Sequence, residues 1–136
     1  MKKKAGTPAP SLSKADFEIL AEFRYQIRRF LRFSEEASRR EGITVLQYLL
    51  MLQIKGYPGR DWATVGELAE RLQAKHHGVV SLVTRCEEAG LVRRDASPED
   101  RRQIEVRLTA RGEACLHRLA ALHKEELHSL QMVVPR

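Results

Sequence analysis

LVRRDASPEDRRQIEVRLT, running from Leu91 to Thr109, decides how the rest of the chain is read. Its second half alternates apolar and polar, with Ile104, Val106 and Leu108 separated by Glu105 and Arg107. A period of two marks a strand with one buried face, so the three apolar side chains are expected to share that face. Leu91 and Val92 open a shorter strand, and Ser97-Pro98-Glu99-Asp100 supplies turn chemistry between the two. The product is a hairpin with Arg101 and Arg102 at its exposed tip and Arg93 and Arg94 on its rising arm. Guanidinium groups on a thin ribbon suit a narrow, strongly negative groove such as the minor groove of DNA. Taken alone, the stretch fits a solvated surface hairpin equally well. The residues before it tip the balance.

Those residues form two helices joined by a short turn. Val65, Leu68, Ala69 and Leu72 fall at i, i+3, i+4 and i+7, one apolar stripe. Thr64 and Glu67 are spaced as a capping box. After Gln73-Ala74 a second helix runs to Ala89, with Val79, Leu82, Val83 and Cys86 as its buried stripe. Gly90 fits the left-handed position that ends a helix. Helices linked this tightly cross, as in a helix-turn-helix.

At about 100° per residue, the second helix turns His77, Ser81, Thr84 and Glu88 directly away from its buried stripe, flanked by Gly78, Val80 and Arg85. Small and hydrogen-bonding side chains there can approach base edges in a major groove. Glu88 would repel phosphate, which confines contact to the amino-terminal half of the helix. An ordinary amphipathic surface helix is the alternative, and a basic hairpin following at once weakens it.

The succession Thr64-Val-Gly-Glu-Leu-Ala-Glu-Arg-Leu72, Val79-Val-Ser-Leu-Val-Thr-Arg85, Glu88-Ala-Gly-Leu-Val-Arg-Arg94, Asp100-Arg-Arg102 and Leu108-Thr109-Ala-Arg-Gly112 resembles the MarR family of bacterial transcription regulators. The resemblance covers roughly residues 14–130, and its most diagnostic parts are the Asp100-x-Arg102 tip and the Leu108-Thr109-x-x-Gly112 junction. It implies a homodimeric winged helix-turn-helix protein that binds double-stranded DNA. Arg102 would then be the minor-groove arginine and Asp100 the carboxylate that orients it, with Arg101 beside them. Lys75, His76, His77, Gly78, Val80 and Ser81 would belong to the recognition helix, and Arg85 would reach a phosphate, as would Thr64 and Arg94. This chain departs from the family at Lys75-His76-His77-Gly78, where many members carry small hydroxyl residues. Ser81 stands where several have an arginine that reads guanine. The operator sequence is therefore not legible here.

The ends of the chain supply what such a small domain needs to bind as a pair. From about Ser13 to Arg40 a long helical pattern carries two apolar stripes: Leu20, Ile27 and Leu31, and Phe23, Phe30 and Phe33. One stripe is enough to seat a helix on its own domain, so the second is expected to meet a partner chain. The last helix shows a similar excess in Leu116, Leu119, Leu122, Leu127 and Leu130. Val45 to Ile54, bounded by Thr44 and Gly56 and apolar nearly all round, is expected to be the buried central helix. Asp61-Trp62-Ala63 is expected to add a third short strand. Trp62 is read as a core or loop anchor in preference to the wall of a ligand pocket. The fold is therefore mainly α with a small β-hairpin wing. A winged helix-turn-helix at 43–109 lies between dimerisation helices at 13–41 and 110–131, after a flexible basic tail at 1–12 that includes Lys2, Lys3 and Lys4.

Composition agrees with less specificity. Lysine and arginine total 24 against 18 acids, for a net charge of +6, a balance that attracts nucleic acid or anionic membrane surfaces. Between Leu91 and Arg111, Arg93, Arg94, Arg101, Arg102, Arg107 and Arg111 outnumber Asp95, Glu99, Asp100 and Glu105. No apolar run has the length of a membrane span, and none follows the first lysines as a signal peptide requires, so a cytoplasmic protein with no membrane partner is expected. His117, His123 and His128 share no i, i+4 pair, and His76 and His77 point apart, so no metal site and no cofactor is expected. His123, on the Leu116–Leu119–Leu127 stripe, is read as a dimer-interface histidine. Cys86 and Cys115 argue against a structural disulfide. The peroxide-sensing branch of the family uses a first-helix cysteine, which this chain lacks. There is no phosphate loop, nucleophile elbow or other catalytic arrangement, and Glu35-Glu36 before Arg39-Arg40 suits i, i+4 surface pairing. The reading is a ligand-responsive repressor, not an enzyme, with an effector of unknown chemistry. A winged helix docking on an acidic protein partner is the alternative.

Overall fold

The computed structural model describes residues 9–131. The lysines of the basic tail lie outside the described residues. Five helices and three strands follow in the order α1 (Lys14–Arg40), α2 (Val45–Lys55), β1 (Trp62–Ala63), α3 (Val65–Leu72), α4 (His76–Glu88), β2 (Val92–Ala96), β3 (Ile104–Leu108) and α5 (Ala110–Gln131). The strands form one antiparallel sheet in the order β1-β3-β2. Trp62 pairs with Arg107 and Val92 with Leu108, so the short third strand lies where the sequence predicts it.

Three helices start on complete capping boxes: Ser13 with Asp16, Thr44 with Gln47, and Thr64 with Glu67. Each such cap stabilises its helix by about 1 kcal/mol. Burial works against the charge of Glu67, yet the Thr64 amide and the Arg60 guanidinium hold its carboxyl below the ordinary value. The turn between α3 and α4 depends on Gln73, which takes a left-handed conformation (φ 54°) without being glycine. Its side-chain amide donates to the Glu70 carbonyl at 2.8 Å. At the other end of α4, Gly90 is left-handed (φ 78°) and Leu91 N–H donates back to the Cys86 carbonyl at 2.8 Å, as a helix-ending glycine should allow.

The core centres on α2, where Leu50, Met51 and Ile54 are fully buried among Leu68, Val83, Cys86 and Leu119. The helix is not enclosed all round, because Leu46 is 53% exposed. Burial pushes the Cys86 thiol up to about 12, which leaves it protonated and unreactive at neutral pH.

Two expectations need correction. Val92, Val106 and Leu108 face the core, but Ile104, on the same side of β3, lies towards the hairpin tip and is 38% exposed. Glu105 instead is buried, because Arg107 on the same face of the strand donates to it at 2.8 Å. Alternation sets which way a side chain points, while the extent of the core decides whether anything covers it. His123 is not available to a partner chain. It is buried where α1, α2 and α5 meet, stacked on Tyr48 at 4.4 Å between ring centroids, with Phe30 and Phe33 edge-on. Its Nδ1 faces the Leu119 carbonyl at 2.7 Å, an acceptor only, so Nδ1 carries the proton, and Nε2 meets the Ser34 hydroxyl at 2.8 Å.

The two stripes of α1 are thereby sorted. Phe23, Phe30 and Phe33 are half-buried, whereas Leu20 and Leu31 are each 55% exposed. Every residue from Lys14 to Glu22 is exposed, Phe17 included. On α1 the surface pair formed is Arg32–Glu36. Arg118 of α5 donates from Nε and Nη2 to Glu41, at 2.8–3.1 Å, and holds that carboxyl below its usual value.

The β3–α5 junction is tied to the α4–β2 junction. Thr109 N–H donates to the Leu91 carbonyl at 3.0 Å, and its hydroxyl donates to the Gly90 carbonyl at 2.6 Å. The same hydroxyl oxygen accepts from Gly112 N–H at 3.0 Å. A β-carbon at Gly112 would lie 2.0 Å from the Leu91 carbonyl oxygen, whereas one at Gly66 would meet nothing within 4 Å. Both positions are helical, so propensity alone favours alanine at each by about 1 kcal/mol. Gly66→Ala should stabilise the protein by about that amount. Gly112→Ala should destabilise it by about 1–3 kcal/mol, since backbone must move to admit the methyl group. Urea unfolding of the two variants checks the opposite signs.

Candidate nucleic-acid interface

The exposed face of α4 begins with an omission. Lys75 is the N-cap of α4 and makes no side-chain capping bond, in contrast to the caps of α1, α2 and α3. The first amides of α4, with the positive end of its dipole, therefore remain open to an anion such as a phosphate. Beyond Lys75, the side chains His76, His77, Ser81 and Arg85 are exposed. Val80 shows 38% of its surface among them. Thr84 is spent internally, its hydroxyl donating to the Val80 carbonyl at 3.1 Å. A β-carbon at Gly78 would touch nothing within 4 Å, so no packing inside the chain requires glycine there.

The hairpin tip is built by two short side chains. The Ser97 hydroxyl oxygen accepts from the amides of Glu99 and Asp100, and Ser97 N–H donates to the Gln103 carbonyl at 2.9 Å. Asp100 Oδ1 accepts from Arg102 N–H at 3.0 Å and from Arg102 Nε at 3.3 Å. One carboxylate thus fixes both the turn and the root of the guanidinium, while the Arg102 side chain stays 92% exposed. Arg101 is exposed beside it.

These elements converge. Thr64 and Gly66 from the start of α3, His76 from α4, and Asp100, Arg102 and Ile104 from the wing line one cleft of about 690 Å³. Thr64 accepts the Glu67 amide in its capping box, which leaves its hydroxyl proton for an outside acceptor. A second concavity of about 710 Å³ lies along the outer face of α1, lined by residues of that helix alone, among them Tyr25, Arg28, Arg32 and Arg39. It lacks a second wall and shares no residue with the cleft.

Two of the predicted basic residues are engaged elsewhere. Arg93 pairs with Asp95 at 2.9 Å. Arg94 is turned towards α4, where it pairs with Glu87 and donates to Thr84 Oγ1 and the Val80 carbonyl. Sequence reasoning also missed Arg60. Its guanidinium lies over the Tyr57 and Trp62 rings, 4.2 and 3.9 Å from their centroids, and pairs with Glu67. Trp62 is thereby a loop anchor that braces the start of α3. Nothing periodic marks such a cluster, because its members come from a loop, a strand and a cap. Among the described residues no cluster of His, Cys, Asp or Glu is suited to a metal ion, and no helix is long and apolar enough to cross a membrane.

Residues 41–103 match the family model for the MarR family. The chain is 32% identical over 96 residues to a putative transcriptional regulatory protein for the hcr operon of Thauera aromatica, across 71% of this chain and 56% of that protein. It thus spans little more than half the length of that relative. Among solved structures, AbsC of Streptomyces coelicolor, a MarR family transcriptional regulator, superposes with a TM-score of 0.75 at 20% identity, covering 94% of this chain and 86% of that one. A mutant of MarR from E. coli, complexed with operator DNA, gives 0.68 at 21% identity, covering 93% and 89%. The fold is that of MarR-type winged helices, and residues 41–103 are similar to the MarR family.

Gly78→Ala tests the close-approach role of the open helix face. It should raise thermal stability, by about 0.5–1 kcal/mol, while weakening binding to duplex DNA. A variant that is more stable and binds unchanged would assign Gly78 no role in approach.

Proposed function

We propose that the protein is a cytoplasmic, homodimeric, ligand-responsive repressor that binds a pseudo-palindromic DNA operator. The observation that carries this reading is the single cleft shared by Thr64, His76, Asp100 and Arg102. It sits between an uncapped helix start and a wing arginine whose side chain is almost wholly exposed. In the proposal, His76, His77, Gly78, Val80 and Ser81 face base edges in the major groove. Lys75, Arg85 and Thr64 meet phosphate. Arg102, held at its root by Asp100, enters the neighbouring minor groove with Arg101 near the backbone. Such a division of labour, phosphates for position and groove edges for sequence, is how duplex DNA is recognised. The complex of a mutant E. coli MarR with operator DNA supports the choice of ligand. An acidic protein partner for the wing is less well supported, since a flat acidic surface gives no reason for an uncapped helix start beside the arginine.

Dimerisation is part of the same proposal. Phe17, Leu20, Leu31, Leu122 and Leu127 are each 42–56% exposed on α1 and α5. Apolar side chains along two adjacent helices make an interface for a second copy. A two-fold pair would set the recognition helices about 34 Å apart, one turn of DNA. The repressor would act by occupying its site, and an effector would act by changing that spacing. No catalytic role is proposed.

Selection of bound duplex from a random pool tests the reading, with two half-sites one turn apart as the expected result and no enrichment as the result that ends it. Arg102→Ala should then lower operator affinity roughly tenfold to a hundredfold with the dimer intact by sedimentation. Arg85→Ala should weaken binding evenly across sequences and flatten the salt dependence by about one unit of slope. A slope indifferent to that change would contradict the phosphate assignment.

A further inference from the structure

Arg94 stands on the rising arm of a basic hairpin, yet its side chain is only 29% exposed. Its acceptors are three groups of α4: the Val80 carbonyl at 3.4 Å, Thr84 Oγ1 at 3.1 Å and the Glu87 carboxylate. Positions 80, 84 and 87 fall at i, i+4 and i+7, one stripe of the recognition helix. The contact therefore spans two turns of α4 instead of touching one point. The planar fork of a guanidinium can bond several acceptors in a fixed arrangement, which a lysine ammonium cannot reproduce. Thr84 is set to receive it, since its own proton goes to the Val80 carbonyl and its lone pairs point outward. The backbone of Arg94 is equally constrained, because it pairs in register with the fully buried Val106.

Charge bookkeeping points the same way. Glu87 neutralises Arg94, so the pair offers a phosphate little net attraction. Drawing Arg94 away to DNA would leave the Glu87 carboxylate facing a polyanion. Arg85, Arg101 and Arg102, by contrast, are exposed.

We propose that Arg94 is a positioning residue that sets the distance between recognition helix and wing, so that the α4 face and Arg102 engage one DNA site together. This rests on the DNA-binding reading above. Two contacting elements held at a fixed spacing bind as one unit, with the second contact made at high effective concentration. Released from each other, each still meets DNA, but not at the same site.

The test uses the full chain, the operator selected from the random pool, and a random duplex. Arg94→Lys and Glu87→Ala should each lower operator affinity by about tenfold, the cost of a charged hydrogen bond. Random-duplex affinity should be unchanged or higher, and the salt slope should be unaltered. The double variant should lose no more than the worse single one. A phosphate-contacting Arg94 predicts the reverse. In that case Arg94→Lys would bind as the wild type does, Glu87→Ala would bind operator more tightly, and Arg94→Ala would lose operator and random duplex equally with a slope flatter by about one unit. Any of these three overturns the proposal. If Arg94→Lys does not fold, Glu87→Ala alone separates the alternatives, because the two predict opposite signs for the change in operator affinity, and only the positioning role lowers the operator-to-random ratio. A wild-type protein that selects no duplex removes the DNA-binding reading and this inference with it.

Discussion

The carbonyl oxygen of Leu91 occupies the space that a β-carbon on residue 112 would need, 2.0 Å away. That approach lets the first turn of α5 sit directly on the end of α4, and Thr109 seals it with bonds to both Gly90 and Leu91. Much else follows from this contact. The hairpin leaves and returns at one place, so β2 and β3 must pair with each other. The α5 helix is launched from that place towards α1, where Ser34 and Glu41 receive its His123 and Arg118. The β2–β3 hairpin, α4 and the long C-terminal helix therefore share a single anchor, made mostly of backbone and hence insensitive to side-chain rotamers.

Around that anchor, charges are used in two distinct ways. Most arginines near the sheet have carboxylate partners. Arg60 holds the cap of α3 through Glu67, Arg107 covers Glu105, Arg93 pairs with Asp95 and Arg94 with Glu87. The exposed pairs among them contribute little stability each, but all of them fix directions, which matters where two elements must face one ligand. Among the arginines near the sheet, Arg102 pairs with a carboxylate while projecting its guanidinium almost entirely into solvent. Exposed positive charge near the wing is thus concentrated at few points, chiefly Arg101 and Arg102.

Much of this was legible in the chain. Turn residues, the Thr64–Glu67 capping box and the glycine after α4 act through bonds within a few positions, so spacing alone reveals them. The same holds for the Asp100–Arg102 tip, whose bond spans two residues. The apolar stripes of α3 and α4 were readable because a helix has one period wherever it is placed. What spacing could not reveal was coverage. Ile104 points to the core side of the sheet and remains exposed because the core ends before it, while Glu105 points outward and is buried under Arg107.

Long-range partners were beyond reach for a related reason. His123 lies on an apolar stripe whether it faces a second chain or its own, and only the approach of Ser34 and Tyr48 from two other helices assigns it to its own. Arg94 is one of several arginines in the sequence, and only the packing of β2 against α4 turns it from a free cation into a strut. The sequence by itself determined the elements, their ends and the hairpin tip, because those depend on bonds between near neighbours. Tertiary structure decided which charges remain free and which apolar faces remain bare, because both depend on groups distant in the chain being brought within a few ångströms.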